Sequence, residues 1–230
     1  MFRDALLIAR KDLRIEWRSK VATTQVLPFA LLVLLLFAFA LDPDRGVLKQ
    51  ATPGLYWVAI LFTAVIAVQR AFAIEVADGN LDALRLSGLD PAGLFLGKVA
   101  ALSIQMLALE VVLVAGVVVL YDAVVDWSRL PLAIAICLAA TVGMAAAGTL
   151  YGALSAGIRG RESLLPLLLL PVLAPVLIGA TRGFESALDL GLANQRDLAE
   201  GWQWTGLLTV FALVYLAIGL VAFGPLLEEA

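Results

Sequence analysis

Polar residues inside apolar stretches are the first candidates for chemistry in this sequence. Glu110 lies deep in an apolar run, and Gln105 precedes it by about a turn and a half of helix. An acid at that depth in lipid costs roughly a few kcal/mol, so we expect it to face other helices. Its role is open between proton coupling or a substrate path and a hydrogen bond to a neighbouring helix. Arg70 ends another run and is expected to reach the surface or to pair with Glu75.

No set of catalytic residues emerges. The sequence contains no histidine and one cysteine, Cys137, so the commonest metal ligand and general base is missing. The run from Gly93 to Lys98 is similar to a phosphate-binding loop, but its spacing is one residue short and Val99 replaces the required Ser or Thr. We therefore predict a protein that is not an enzyme, has no metal site and no bound cofactor, and relies on another chain for any ATP binding.

The composition is that of a chain that crosses a membrane several times. Hydrophobic residues make up 62% of its 230 residues and charged residues only 15%. A helix needs about 20 apolar residues to cross a bilayer. Six runs come close to or exceed that length, at residues 21–41, 55–73, 99–121, 130–156, 164–180 and 204–227. We predict an all-α membrane protein in which residues 21–230 form one domain of six transmembrane helices. Nothing in the charge pattern indicates nucleic-acid binding.

Residues 1–20 combine six basic side chains with apolar residues at close to helical spacing. The apolar set consists of Phe2, Leu6, Leu13 and Trp17. This pattern predicts an amphipathic helix in the membrane interface, with its basic face toward lipid headgroups. A positive flank that anchors the first span is the alternative, and both descriptions can hold together.

Two of the six spans carry packing signals. The fourth has small residues at four-residue spacing, Ala139, Gly143 and Ala147, and a Gly-x-x-x-Gly pair formed by Gly148 and Gly152. Both patterns predict a closely packed helix face. The fifth has prolines at positions 166, 171 and 175. Proline removes a backbone donor and clashes with the preceding turn, so we expect this helix to be kinked or partly broken. A loop is expected over residues 181–203.

The distribution of positive charge predicts the orientation. Eleven of the sixteen Lys and Arg residues fall on the side of both termini, and five fall on the opposite side. Because cytoplasmic loops carry the excess of positive charge, both termini are predicted to be cytoplasmic. An aromatic belt is predicted at the outer interface, formed by Tyr56, Trp57, Tyr121, Trp127, Trp202 and Trp204.

Residues 75–98 form the longest polar interruption between the early apolar runs. Asp78, Gly79 and Asn80 favour a turn, because Gly and Asn tolerate positive φ. A short amphipathic helix is expected to follow, with leucines at positions 81, 84 and 89 on one face. The segment is either a solvated loop between two membrane helices or a docking element for a soluble partner.

This segment resembles the signature of ABC-2-type export permeases. The matching positions are Glu75, Gly79, Leu81, Asp82, Leu84, Ser87, Gly97 and Lys98. In such permeases the segment contains a coupling helix that sits in a groove of the ATPase subunit. The resemblance therefore implies ATPase coupling for Glu75, Gly79, Leu81, Asp82, Leu84 and Ser87. We refer to residues 75–98 as the coupling segment.

Two further segments are similar to one family within that class, the cytochrome c maturation permease CcmB, or haem exporter protein B. They lie between Pro53 and Phe72 and between Leu170 and Leu177. The resemblance implies ABC-2-type permease architecture in a multi-pass subunit of the bacterial inner membrane. It also implies a role in cytochrome c biogenesis, in which a partner ATPase is coupled to delivery of haem and release of the haem chaperone.

The implied partners are two ATPase subunits, a second copy of this chain, a haem-handling membrane protein, a small single-span protein and membrane lipid. The haem ligands would then lie on a partner, which fits the missing histidines. Two alternatives remain: an ABC-2-type exporter subunit for another lipid or small amphiphile, and a secondary transporter or membrane enzyme. A secondary transporter would depend on Glu110 and would work without an ATPase.

Overall fold

The computed structural model describes residues 1–41, 46–76, 88–121, 126–156, 161–188 and 197–229. Within these ranges the chain forms α-helices joined by turns, with one short π-helical segment and no strand. Six helical segments of this part of the chain are long and apolar enough to cross a membrane. The prediction of an all-α membrane protein with six spans is confirmed.

Seven α-helices follow one another along the described ranges. They are α1 (Phe2–Ser19), α2 (Leu27–Ala40), α3 (Val47–Val76), α4 (Pro91–Tyr121), α5 (Leu130–Ala156), α6 (Arg161–Ala187) and α7 (Leu198–Glu229). The π-helical segment Ala22–Val26 leads into α2, and together they form the first span. Helices α3 to α7 provide the other five. Because α6 extends to Ala187 and α7 begins at Leu198, the expectation of a loop over residues 181–203 was wrong at both ends.

The end of α1 and the start of α4 follow from local sequence. Helix α1 stops at Lys20, whose φ of 55° is left-handed and turns the chain toward the first span. Gly88 has a φ of 67°, which glycine adopts without steric cost. Asp90 then precedes Pro91, the first residue of α4, and its carboxylate accepts a hydrogen bond from the Ala92 N–H at 3.4 Å. This is the usual arrangement of an N-cap acid followed by proline.

Helix α6 contains its three prolines and is nevertheless continuous. Of the two expectations for this span, a kink or a partial break, the break is not found in this described helix. In membrane helices the backbone groups that a proline frees are satisfied by neighbouring helices and local adjustment. Leu169 and Leu173 lie among the prolines and are fully buried, so this stretch of α6 is packed inside the bundle.

The small-residue face predicted for the fourth span is confirmed in α5. A Cβ placed on Gly148 would lie 2.5 Å from the Val68 side chain of α3, and one on Gly152 would overlap the Phe72 ring. Gly143 faces α7, where a Cβ would lie 3.0 Å from a Phe211 ring carbon. Glycine therefore lets α5 approach both neighbouring helices closely.

Half of the residues predicted for the outer aromatic belt face the inside of the bundle. Three of its members, Tyr56, Trp57 and Tyr121, are fully buried inside the bundle. Trp127 and Trp202 are exposed, and Trp204 is half-buried. A buried aromatic ring contributes a large apolar area to packing, which here outweighs the preference of tyrosine and tryptophan for the membrane interface.

Candidate functional site

Two adjacent residues of α1 meet the two residues that begin and end the coupling segment. We call this group the ion-pair cluster; it consists of Lys11, Asp12, Glu75 and Lys98. The Lys98 Nζ lies 2.5 Å from a Glu75 carboxylate oxygen and 3.6 Å from an Asp12 oxygen. The Lys11 Nζ lies 3.2 Å from the same Glu75 oxygen and 3.0 Å from Asp12. Each charge therefore has two partners of opposite sign.

The cluster is buried on the side of α3 and α4 and partly exposed on the side of α1. Side-chain exposure is 3% for Lys98 and 5% for Glu75, against 38% for Lys11. An unpaired charge at such depth is costly, whereas two positive and two negative charges in contact compensate one another. The Lys98 ammonium also lies 4.9 Å from the centre of the Phe72 ring, a favourable cation–π contact.

Lys11 is cationic in these surroundings at neutral pH. Burial lowers the pKa of its ammonium, but the negative charges of Asp12 and Glu75 outweigh burial, so the pKa is raised above the usual 10.5. A raised pKa means that the folded protein stabilises the charged form of Lys11 relative to the unfolded chain.

Arg70 forms a second link between α3 and α1. Its Nε lies 3.2 Å from a carboxylate oxygen of Glu16, and the other Glu16 oxygen accepts the Ala22 N–H at 2.8 Å. Pairing of Arg70 with Glu75, one of the two alternatives for Arg70, is not formed, because Glu75 is held in the ion-pair cluster. Glu16 thus connects α3 with the residue at which the first span begins.

Close backbone approach holds α1 against the start of α4. A Cβ on Gly97 would lie 2.7 Å from the Ala5 carbonyl oxygen and 2.7 Å from the Ile8 Cβ. One on Gly93 would lie 2.8 Å from the Met1 carbonyl oxygen. A side chain at either position would push α1 away. The run from Gly93 to Lys98, which is similar to a phosphate-binding loop, therefore forms the surface on which α1 packs.

Charge is segregated between the two faces of α1. Its acids, Asp4, Asp12 and Glu16, lie on the face that packs on the protein. Its arginines, Arg3, Arg10, Arg14 and Arg18, are exposed, and none forms an ion pair with an acid among the described residues. Phe2 and Trp17 are exposed beside them. Lys11, which the pattern grouped with the lipid-facing basic residues, faces the protein instead.

Glu110 and Gln105 lie in different surroundings although both belong to α4. Glu110 is buried, and one carboxylate oxygen accepts a hydrogen bond from the Thr141 hydroxyl of α5. This contact is the interhelical hydrogen bond that was one of the alternatives for Glu110. Glu110 also borders an apolar cavity of about 310 Å³, together with Tyr56 and Cys137. Gln105 faces a cavity of about 40 Å³ beside the ion-pair cluster.

The residues assigned to ATPase coupling by resemblance are described only at the start of their segment. Glu75 is described, whereas Gly79, Leu81, Asp82, Leu84 and Ser87 lie outside the described residues. What the structure adds is the contact between the two ends of the coupling segment. In the ranges that are described, no three His, Cys, Asp or Glu side chains gather as metal ligands would.

Three members of the cluster were not predicted as site residues: Lys11, Asp12 and Lys98, of which Lys98 matches the permease signature but was assigned no role. Two signals for them are present in the sequence. Asp12 shares a helical face with the other acids of α1, and Gly93 and Gly97 form a close-packing pair just before Lys98. Neither signal predicts which residue each charged side chain contacts, because Lys11 and Glu75 are 64 residues apart in sequence.

Comparison with known proteins decides the family. A sequence model described as CcmB protein matches residues 3–229. The chain belongs to the CcmB family. The match extends from α1 to α7, so membership of the CcmB family covers the helix that carries Lys11 and Asp12 as well as the six spans.

Relatives of this CcmB-family chain carry the name Heme exporter protein B. The protein from Haemophilus influenzae is 32% identical over 184 residues, which cover 79% of this chain and 81% of the relative. The protein from Paracoccus denitrificans is 32% identical over 181 residues, covering 76% and 78%. The protein from Pseudomonas aeruginosa is 29% identical over 224 residues, covering 95% and 94%. With six helices able to cross a membrane, the chain is a multi-pass bacterial membrane protein.

Proposed function

We propose that this chain is the membrane subunit of a transporter that exports haem for cytochrome c biogenesis. The observation that carries the proposal is membership of the CcmB family over residues 3–229, with relatives named Heme exporter protein B. Haem is cargo of the assembled transporter. This chain has no histidine to offer as a ligand to its iron, so haem ligation is assigned to a partner.

ATP hydrolysis is assigned to a separate ATPase chain that docks on the coupling segment. The sequence lacks a phosphate-binding loop of the required spacing, which supports a division of labour between two chains. The contact between Glu75 and Lys98 supports the docking position, because it holds the two ends of the segment side by side. A force applied to the segment reaches α3 and α4 together, since the segment joins these two helices.

The ion-pair cluster is assigned to the cytoplasmic side of the bacterial inner membrane. Eleven of sixteen basic residues lie on the side of the termini and the coupling segment, which supports this orientation. With six spans, both termini share that side. The exposed arginines of α1 then face the headgroups of the inner leaflet.

A second copy of this chain, a haem-handling membrane protein and a small single-span protein complete the proposed assembly. These partners are supported by the resemblance to the permease class and by the apolar outer surface of the bundle. Val111 and Val119 of α4 and Val221 of α7 are strongly exposed and suit contact with lipid or with such partners.

Deleting the gene tests the proposed process. We expect the covalently bound haem of all c-type cytochromes to disappear from haem-stained gels and to return when the intact gene is restored. Non-covalent b-type haem in the same membranes, measured by its absorption, is the control and should persist. Unchanged c-type bands in the deletion strain would overturn the proposal.

A further inference from the structure

We propose that the cavity beside Glu110 is a binding site for a small uncharged amphiphile that carries a hydroxyl group and enters from the bilayer. The cavity lies between α4 and α5, with Tyr56 of α3 and Phe184 of α6 in its wall. No described residue of α1 or of the coupling segment lines it. The inference goes beyond the proposed function, because it rests on the cavity alone and makes no claim about haem export.

Two buried polar atoms in the wall of this cavity lack a hydrogen-bond partner among the described residues. They are the hydroxyl oxygen of Tyr56, which is fully buried, and one carboxylate oxygen of Glu110, which is 3% exposed. The other Glu110 oxygen accepts the Thr141 hydroxyl. Leaving a buried polar group unpaired is costly, and lipid tails offer no hydrogen bonds. A ligand that pairs with both atoms therefore binds more favourably here than an acyl chain does.

The other polar side chains around the cavity do not meet this need. The Cys137 thiol interacts with both Tyr56 and Glu110, but a thiol is a weak donor with a single hydrogen. Asp126 lies in the wall of the cavity and is already engaged, because its carboxylate accepts the N–H and the hydroxyl of Ser128 at 2.9 and 2.8 Å. The two unpartnered atoms are therefore left for a ligand.

A hydroxyl group matches these two atoms. It donates one hydrogen bond, which the Glu110 oxygen can accept, and it accepts another, which the Tyr56 hydroxyl can donate. An acidic ligand is disfavoured, because the described wall contains two carboxylates and no basic side chain. A cationic ligand would have to give up its hydration inside the bilayer, which is costly. An alcohol is the ligand class that fits.

The size and the mouth of the cavity indicate a small molecule that arrives through the bilayer. Its volume of about 310 Å³ is at the lower end of the range for small-molecule sites, about 300–1,000 Å³. Val111 of α4 and Ile134 and Leu138 of α5 line the cavity and are also 71%, 49% and 46% exposed. Since all three belong to transmembrane spans, an opening between them faces lipid.

Photolabelling of the full-length protein in phospholipid nanodiscs tests the inference. The probe is octanol with a diazirine on its chain, which inserts into neighbouring side chains on illumination. The matched probe is the same molecule without the hydroxyl. We expect mass spectrometry to locate the octanol adducts in residues 107–114 and 130–138, and excess unmodified octanol to remove them. The octane probe should label these residues about fivefold less, because it makes no hydrogen bond.

Three variants separate the hydroxyl contact from the shape of the cavity. Y56F keeps the ring and removes the unpartnered hydroxyl, so it should keep or raise the unfolding temperature and reduce the preference for octanol to about twofold. A133F fills the cavity and should abolish labelling by both probes. A135F places the same ring on α5 at a residue that does not line the cavity, and labelling should persist. Because Y56F changes no shape, it keeps the test usable if A133F is not produced.

Four results would overturn the inference. Equal labelling by the two probes would show that the cavity accepts any hydrocarbon chain. Unchanged labelling in folded A133F would place the probe elsewhere, and absence of adducts in both ranges would show that the alcohol does not enter. A wild-type preference for octanol in Y56F would contradict the assigned pairing. If the deletion strain keeps its covalent haem, the proposed function fails, and the labelling data alone still decide whether the cavity binds an alcohol.

Discussion

The carboxylate of Glu75 and the ammonium of Lys98 lie 2.5 Å apart at the two ends of the coupling segment. Glu75 occupies the last turn of α3, where the helix dipole disfavours negative charge. Lys98 and Lys11 offset that effect and also compensate the burial of the carboxylate. The pair therefore fixes the ends of α3 and α4 relative to each other at the place where an ATPase is proposed to act.

Replacing Lys98 with methionine should destabilise the protein by about 3 kcal/mol, because Glu75 stays buried with Lys11 as its remaining cation. The double variant E75Q/K98M should recover most of that loss, since no unpaired charge is left behind. Thermal unfolding of the detergent-solubilised protein measures both effects. A K98M variant as stable as wild type would show that the pair does not hold the helix ends together.

Replacing Gly97 with valine should displace α1 from α4. The new Cβ would lie 2.7 Å from the Ala5 carbonyl oxygen and from Ile8, and such overpacking costs about 1–3 kcal/mol. Trypsin should cut faster at the exposed arginines of α1, which provides a local measurement beside thermal unfolding.

Gly206 offers the matched control. It lies inside α7, and a Cβ there meets no atom within 4 Å. Alanine at this position should stabilise the protein by about 0.5–1 kcal/mol, because it removes the conformational freedom of glycine from a helix. Equal destabilisation by G97V and G206A would contradict the close approach of α1 to α4.

The six spans were predictable because length and apolarity are local properties. The neighbour that a given helix face contacts is not a local property, because it depends on residues far away in the sequence. Lys11 looked like one more lipid-facing cation, but its partner Glu75 is 64 residues away. Arg70 likewise pairs with Glu16 across 54 residues, not with the nearby Glu75. Sequence periodicity shows that a helix has two faces but does not show which neighbour each face meets.

The same limit of sequence periodicity explains why three residues of the predicted aromatic belt face the inside of the bundle. Position along the chain places Tyr56 and Trp57 near the end of an apolar run, which gives their depth but not their direction around α3. The structure turns both inward, where Tyr56 stacks on Phe184 of α6 with ring centroids 4.9 Å apart. The glycine-rich face of α5 was predictable because small residues at regular spacing in membrane helices commonly allow a neighbouring helix to approach closely.

Replacing Glu110 with glutamine should leave covalent haem within about twofold of wild type, because the amide oxygen still accepts a hydrogen bond from Thr141. Glu110→Leu removes that acceptor and should lower stability by about 1–3 kcal/mol. Covalent haem and thermal unfolding are measured in parallel for the two variants. A loss of more than about tenfold in E110Q, at normal protein abundance, would instead assign Glu110 to proton transfer.

The stability that Lys11 contributes should be constant near neutral pH and be lost in alkali. Its pKa is raised above 10.5, because Asp12 and Glu75 outweigh the lowering effect of burial. A group whose folded-state pKa is raised contributes stability that is complete below the unfolded pKa and is lost as pH rises through the folded value. On the alkaline side of neutrality, the difference in unfolding temperature between wild type and K11Q should therefore shrink only above about pH 10. A difference that already shrinks between about pH 6 and 8 would contradict the ion pairing of Lys11.

Gly79 gives the most direct test of the central claim, which is that the coupling segment links a partner ATPase to cytochrome c assembly. Valine at this position cannot adopt the positive φ expected of the turn, because its branched Cβ clashes with the backbone. The measurement compares ATP hydrolysis by the purified transporter with covalent haem on c-type cytochromes in cells that carry G79V. We predict continued hydrolysis with loss of covalent haem. Wild-type levels of covalent haem, with G79V present in normal amount, would contradict the account.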